Sequence, residues 1–546
     1  DEDQGSALEL LLSLGNLDPA QIPPKLAEGL ALGLEALARR SGGELLSDRA
    51  KGQLVSMLRY RSADEQTAAR VRGIALLTLR HGQAITERYV DESLRDPDPD
   101  TRRVAAASLA LMPPAVRTEF TRRAIGDESL RVSVEAIGQL ANHPNDILKC
   151  QWLNNALEDT DIRPIRALAL EALGEPCPDV SAQQQILMDA VSEIGVTNST
   201  EWLAPARALV SLASIAPELA EAALPQFLAH ENAFVRGYAA TAAGLIRQTV
   251  ILRTLAQDPA PNVRTTAIQL LAAQDSEPID ELLINQLTAD DPQLLMTAAR
   301  LLENSLLGPQ AALAALLAFE RVSASKRETS RDARRALLER VDELGDATMT
   351  SRLEPFLRDF DPQVARDVAS ILERWSGQSR QPNPEILPGS ALPNAAELDE
   401  LMHSEVVLHM QTGGKIVIQA LPDVALTNVH RFVRLANDGY FDGLTFHRWE
   451  PGFVIQGGSP GANEYSGDGP YTRDEVDLQP HWRGTVGLST RGHDTGDAQI
   501  FINLADNVRL NHDYTIFGVV INGMEDVVDL VVEGDIITRA EVRVGT

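Results

Sequence analysis

The run Phe446-His447-Arg448-Trp449-Glu450-Pro451-Gly452-Phe453-Val454-Ile455-Gln456-Gly457-Gly458 gathers an arginine, aromatics, an amide and a glycine pair within about a dozen residues. About forty residues on, Gln499-Ile500-Phe501-Ile502-Asn503 adds a second amide and another aromatic in the alternating pattern of a strand. A guanidinium suits chemistry that needs fixed donors, because it is always charged and holds its N–H groups in a rigid fork. Taken one at a time, a strand arginine is ordinarily solvated or ion-paired, and Phe453 and Phe501 are ordinary core. The argument rests on the set in order. His447 alternates with Phe446 and Arg448, which turns it to the opposite face, where it is expected to pack. His430, His481, His493 and His512 show no ligand spacing such as H-x-x-x-H, so no metal is implied.

Order, spacing and flanks of these segments over about the last 140 residues resemble the active-site strands of the cyclophilins, the peptidyl-prolyl cis-trans isomerases. The implied chemistry is modest in kind. An X-Pro bond resists rotation through amide resonance, with a barrier of about 18–20 kcal/mol, and exchanges unaided in roughly tens to hundreds of seconds. A catalyst must grip the proline ring in an apolar pocket and offer donors that favour the twisted peptide over the planar one. No cofactor is needed. By the resemblance, Arg448 and Gln456 are the catalytic pair. Phe453, Val454, Phe501 and Leu510 line the proline pocket, Gln499 orients substrate and arginine, and Ser489 and Thr490 form the edge of the groove. Two positions depart from the common pattern. Arg509 stands where many members carry the tryptophan that cyclosporin favours, which implies weak inhibitor binding. Tyr514 replaces a common histidine and keeps a hydrogen-bond donor at the rim.

The elements around these residues read as a closed β-barrel with two helices. Val406 to Met410 and Lys415 to Ile418 are strands joined by Thr412-Gly413-Gly414, a hairpin signal. Apolar residues recur at helical spacing from Ala425 to Asp438 and stop before Gly439. Thr515 to Val520 is another strand, Met524 to Val532 a second short helix, and Ile536 to Val544 closes the sheet.

Residues 1–375 are of another kind, rich in Ala, Leu and Arg and poor in aromatics. A loose motif recurs about every 28–40 residues, the period of helix-pair solenoids. Copies begin at Asp98-Pro99, Asp127-Glu128, Asp161-Ile162, Glu231-Asn232, Asp258-Pro259, Asp291-Pro292 and Asp361-Pro362, and they resemble HEAT repeats. Asp caps a helix start and Pro fits its first turn, where no donor is needed. The recurring Arg166, Arg236 and Arg264 suggest either a basic groove or, more commonly, a ladder to carboxylates of neighbouring turns. Between the two parts, 376–403 holds four prolines with Gly, Ser and Asn and reads as a semi-rigid linker.

A chain of 546 residues is too long for one core, and its formal charge of -29 argues against nucleic acid as a partner. No apolar run reaches the roughly 20 residues that span a bilayer. The chain starts at Asp1 without methionine or leader, so an N-terminal piece is expected to have been removed; a bacterial, extracytoplasmic protein is the expected case and a cytoplasmic one the alternative. Cys150 and Cys177 sit in neighbouring repeats, and spacing alone does not decide whether they pair. These features suggest a HEAT-like α-solenoid (1–375), a linker (376–403) and a cyclophilin-like barrel (404–546). The expected activity is prolyl isomerisation of proline-containing polypeptides by a folding factor, with the solenoid as a platform for clients or a protein partner. The alternative is a scaffold whose barrel only binds proline-containing segments.

Overall fold

The computed structural model describes residues 22–141, 148–195, 200–274, 278–389 and 392–545. The expectations for residues 1–21, Ser390, Ala391 and Thr546 lie outside them. Among the described residues from Pro24 to Ser376 the regular elements are all helices, and alternate helices stack into one continuous layer. In the middle of the chain this inner layer runs Pro99–Ala107, Leu130–Ala141, Arg163–Ala172, Leu203–Ile215, Ala233–Leu245, Pro261–Gln274 and Pro292–Leu301. Asp-Pro does the local work expected of it: Asp98, Asp291 and Asp361 each accept a backbone N–H at a helix start with Pro in the first turn. Alanines such as Ala105, Ala169, Ala239 and Ala298 are fully buried, so successive helices approach closely.

The arginines form the ladder. Arg72 bonds Asp96 at 2.7 and 2.9 Å, Arg102 bonds Asp127 at 2.8 and 2.9 Å, and Arg236 bonds Asp258 at 2.6 and 2.8 Å. Arg166 reaches Glu193, while Arg264 reaches the amide oxygen of Gln286 instead of a carboxylate. The Arg72, Arg102 and Arg236 rungs each tie one inner helix to the turn before the next. Cys150 and Cys177 form a disulfide that bridges neighbouring helical units.

The segment after Ser376 is less of a free linker than its composition suggests. Asn383 N–H donates to the Leu357 carbonyl at 2.7 Å and Glu385 N–H to that of Arg358 at 3.3 Å, which lays Pro382 and Pro384 along the last repeat. Ala395–Leu401 then forms a short helix, because Asn394 and Glu397 make a reciprocal capping box that the proline-rich reading overlooked.

The barrel has nine strands: β1 (Ser404–Met410), β2 (Lys415–Ala420), β3 (Thr445–Phe446), β4 (Arg448–Glu450), β5 (Val454–Gly457), β6 (Thr485–Leu488), β7 (Ile500–Asn503), β8 (Ile516–Asn522) and β9 (Asp535–Val544). Their order is β3-β9-β1-β2-β8-β6-β7-β5-β4, antiparallel throughout. The two ends of that order, β3 and β4, are separated in the chain by His447 alone, so the backbone itself closes the ring. Helix Leu426–Asn437 buries Val429, Phe432, Val433 and Ala436 against the barrel. The second expected helix, Met524 to Val532, is a run of turns ending in a 3-10 turn at Val528–Leu530. Its β-branched Val527, Val528, Val531 and Val532 are poor helix formers and serve as core, each nine-tenths or more buried.

The solenoid clasps the barrel. Arg163 makes two bonds to Asp535 at 2.9 and 2.7 Å, the Tyr238 hydroxyl donates to Glu533 at 2.6 Å, and Arg70 lies 4.4 Å over the Trp482 ring. Gly534 has φ +85° and faces the Trp202 ring, where an added Cβ would come within 2.4 Å, so both backbone and packing demand glycine there. Apolar packing runs without a break from the solenoid helices into the barrel.

Two expectations about stability follow. Arg72 is fully buried with Asp96 beside it, so Arg72→Ala leaves a buried unpaired carboxylate and costs about 3–5 kcal/mol. Arg122→Ala, whose pair with Glu119 is exposed, costs far less. Urea unfolding followed by helical circular dichroism distinguishes them; equal costs would mean that the ladder is decorative. The second concerns acid. Burial, aided by the Arg448 charge, holds His447 down to about 4, and burial holds His481 to about 4. Both rings stay neutral in the fold, while unfolded histidine takes up its proton near pH 6.5. Stability is therefore lost as pH falls from about 6.5 to about 4 and levels off below, each ring contributing on the order of 3 kcal/mol. The difference between the urea profiles of the unaltered chain and His481→Gln over that window measures one ring's share; identical slopes would refute it.

Candidate functional site

Strand register assembles the site. Arg448 on β4 lies opposite Gln456 on β5, Gln456 opposite Phe501 on β7, and Phe501 opposite Gly487 on β6. One row across four strands thus carries guanidinium, amide, ring and gap on a single face. Gly487 is the gap: a Cβ there would sit 2.3 Å from the Phe501 ring. The neighbouring row, Trp449, Ile455, Ile502 and Val486, turns the other way, and its three aliphatic members fill the barrel interior.

On the outer face is a cavity of about 230 Å³. Phe453, Val454, Phe501 and Leu510 supply its apolar wall, and Arg448, Gln456, Ser489, Thr490 and Tyr514 its polar edge. Gln499 does not line it. That side chain is fully buried behind, with its oxygen accepting from Gln456 Nε2 at 3.0 Å. Gln456 Nε2 also donates to Ser489 Oγ at 2.9 Å, and its carbonyl accepts from Arg448 Nη1 at 3.3 Å. The relay therefore runs Gln499, Gln456, Arg448. Because an amide cannot rotate freely once both its ends are engaged, it fixes the guanidinium's near edge. Arg448 is partly exposed at the mouth, with Glu450 at 3.3 Å and Glu464 at 3.5 Å.

Phe501 is held from behind by the His481 ring, stacked at 5.8 Å, and from the side by Tyr514, edge-on at 6.0 Å. His481 in turn faces the Tyr514 carbonyl at 3.2 Å through Nε2. Tyr514 thus serves the pocket as an aromatic wall as much as a donor. Arg509 is exposed and lays its guanidinium 4.1 Å over the Phe453 ring, so the rim has a charged lid on one phenylalanine where the common pattern has an indole.

Glu464 and Arg491 also line the cavity, and sequence reasoning passed over both. Glu464 belongs to a loop, residues 459–470, that has no periodicity and no motif. Its carbonyl and that of Ser466 accept from Gln499 Nε2 at 3.1 and 2.9 Å. The same loop is gripped from the solenoid: Asn463 Nδ2 donates to Asn262 at 3.1 Å and Asp291 at 2.9 Å, and Arg327 donates to the Gly467 carbonyl at 2.5 Å. Arg491, next to the expected Ser489 and Thr490, donates to Asp332 of the solenoid at 3.2 Å. Behind Gln499, Asp497 is buried, which pushes its carboxyl up to about 6, while Arg491 at 3.6 Å pulls the other way.

Comparison with known proteins falls on this barrel. Residues 406–542 match the family model described as cyclophilin type peptidyl-prolyl cis-trans isomerase/CLD. Peptidyl-prolyl cis-trans isomerase B of Bacillus subtilis is 40% identical over 118 residues, covering 21% of this chain and 82% of the relative. A peptidyl-prolyl cis-trans isomerase of Synechococcus elongatus is 39% identical over 105 residues, covering 19% and 72%. A Cryptosporidium parvum cyclophilin type isomerase, solved in the presence of the dipeptide Ala-Pro, is 24% identical with a TM-score of 0.24, covering 26% of this chain and 99% of that one. With its arginine, amide pair and apolar pocket on that matched barrel, the chain belongs to the cyclophilin-type peptidyl-prolyl cis-trans isomerases.

Proposed function

We propose that this isomerase is a folding factor of an extracytoplasmic, bacterial compartment. In this reading residues 404–546 carry the chemistry, 376–403 link them to the helical part, and 1–375, HEAT-like in pattern, offer a platform for clients. The observation that carries the reading is the loop 459–470, which is bonded at once to the inner layer of the solenoid and to the amide relay behind Arg448. A platform built into the catalytic support suits an enzyme whose substrates are chains rather than small peptides. The disulfide supports an oxidising compartment. Among the described residues no helix is long and apolar enough to cross a membrane.

The assignment of roles follows the chemistry of rotation. As the X-Pro bond twists, its nitrogen loses resonance and becomes a pyramidal acceptor, and its carbonyl swings. Phe453, Val454, Phe501 and Leu510 hold the ring, a role that fits the Ala-Pro dipeptide present with the Cryptosporidium relative. Arg448 supplies donors to the twisted state, Gln456 fixes it, and Gln499 holds Gln456. Ser489, Thr490 and Tyr514 meet the flanking backbone.

Arg448→Ala is expected to lower kcat/KM on a proline tetrapeptide about a hundredfold or more, the effect of losing a preorganised donor worth roughly 3 kcal/mol. Arg448→Lys restores little, since a point charge lacks the fork. Near-normal turnover in either variant would remove Arg448 from the mechanism. The folding role is checked separately. The unaltered chain, at catalytic amounts, should speed the proline-limited phase of a refolding protein, and Arg448→Ala should not. Tetrapeptide turnover without any acceleration of refolding would leave the isomerase standing and sink the folding factor.

A further inference from the structure

Beside the proline pocket, between barrel and solenoid, lies a second and larger cavity of about 920 Å³. That is near the top of the range of about 300–1,000 Å³ typical of ligand sites. The two cavities are continuous in their lining: Arg448 and Glu464 border both. One wall is the inner layer of the solenoid, with Phe234 and Tyr238 from helix Ala233–Leu245, Gln269 from helix Pro261–Gln274, and Gln293 and Met296 from helix Pro292–Leu301. The opposite wall is the barrel, with His447 among its residues.

His447 borders the cleft as packing: it is 7% exposed and both ring nitrogens are closed off from solvent. The polar functions that line the solenoid wall are amides, and Gln269 and Gln293 each offer donors and an acceptor. An extended polypeptide presents one donor and one acceptor at each residue, and aromatic and thioether surface suits side chains of varied shape. Charge is balanced along the cleft, Arg300 and Arg448 against Glu464 and Glu533, which suits an uncharged stretch.

We propose that this cleft binds the extended polypeptide segment flanking the target proline, so that the solenoid and barrel together form one substrate groove leading into the isomerase pocket. The inference rests on the barrel's isomerase activity and deepens the platform reading by locating the platform at the solenoid wall facing Arg448. A chain seated there is held by its backbone through Gln269 and Gln293, while its proline lies under Phe501. Long unfolded chains are then the preferred substrates, and short peptides occupy only the pocket.

The test uses the full chain and two peptides. One is a proline tetrapeptide; the other is the same motif flanked by uncharged residues long enough to cross the cleft. Gly237 lines the cleft on helix Ala233–Leu245, and a Cβ built there meets nothing within 4 Å. Gly237→Trp therefore fills the groove without forcing the helix, and Thr266→Trp fills it from the next inner helix. The unaltered chain is expected to favour the long peptide in kcat/KM by about tenfold, and each variant to lose that preference, with melting temperature as the check on folding. A long-to-short ratio unchanged by both tryptophans, whether because neither substrate is affected or because both fall together, would overturn the proposal. Failure of the unaltered chain to turn over the tetrapeptide would instead overturn the isomerase activity beneath it.

Discussion

A guanidinium removed from water must meet acceptors in its own plane, and that constraint organises this chain from end to end. The sequence spends 44 arginines against five lysines. The fork is what makes the difference, since two parallel bonds to one carboxylate fix orientation as well as distance. In the solenoid, Arg72, Arg102 and Arg236 use it to set the spacing of successive inner helices. At the junction, Arg163 uses it on Asp535, so the barrel is oriented and not merely adhered. At the site Arg448 is the contrast: its contacts at Nε and Nη1 are 3.3 Å or longer, and the side chain remains open to the mouth. Arg72, Arg102 and Arg236 engage all three nitrogens, whereas the guanidinium at the cavity mouth is held loosely by an amide.

The amide relay makes the two parts of the chain one device. Asn262 and Asp291 stand at the starts of two inner helices and grip the loop 459–470. The loop's carbonyls orient Gln499, which orients Gln456, which holds the guanidinium. The links run from 2.7 to 3.3 Å, and the one between Gln499 and Gln456 is buried. Movement of the inner layer relative to the barrel would therefore be felt at Arg448 through hydrogen bonds and not through the apolar core.

Much of this was legible in the residues. Hairpin glycines, the helical period from Val429 to Ala436 and the alternation around Gln456 and Phe501 are local signals, and the strands and helix stand where those signals put them. The Asp-Pro starts gave the solenoid for the same reason, because capping is a short-range event. What escaped reading was decided by tertiary contact. Met524 to Val532 has apolar residues at helical spacing, but its valines are wanted by the core in a tighter turn. Glu464 and Arg491 have no pattern around them, since their places are set by solenoid residues more than 150 positions away. The clasp itself is written in single residues such as Trp202, Asn262 and Asp332, scattered one to a repeat, where no window of sequence can gather them.

The closure of the barrel through His447 bears on how the chain is made. Strand β9 follows all the other strands in the chain, yet it lies between β3 and β1 and pairs with both. The ring is incomplete until β9 has emerged, so the barrel cannot form progressively strand by strand. The helical repeats are the reverse: their contacts are between neighbours, and they can be complete while the barrel is still unpaired strands. The finished inner layer would then be the first surface those strands meet. In the order of synthesis, the part of the molecule that clasps the isomerase barrel precedes it as a template, and the barrel is assembled afterwards, around its own support.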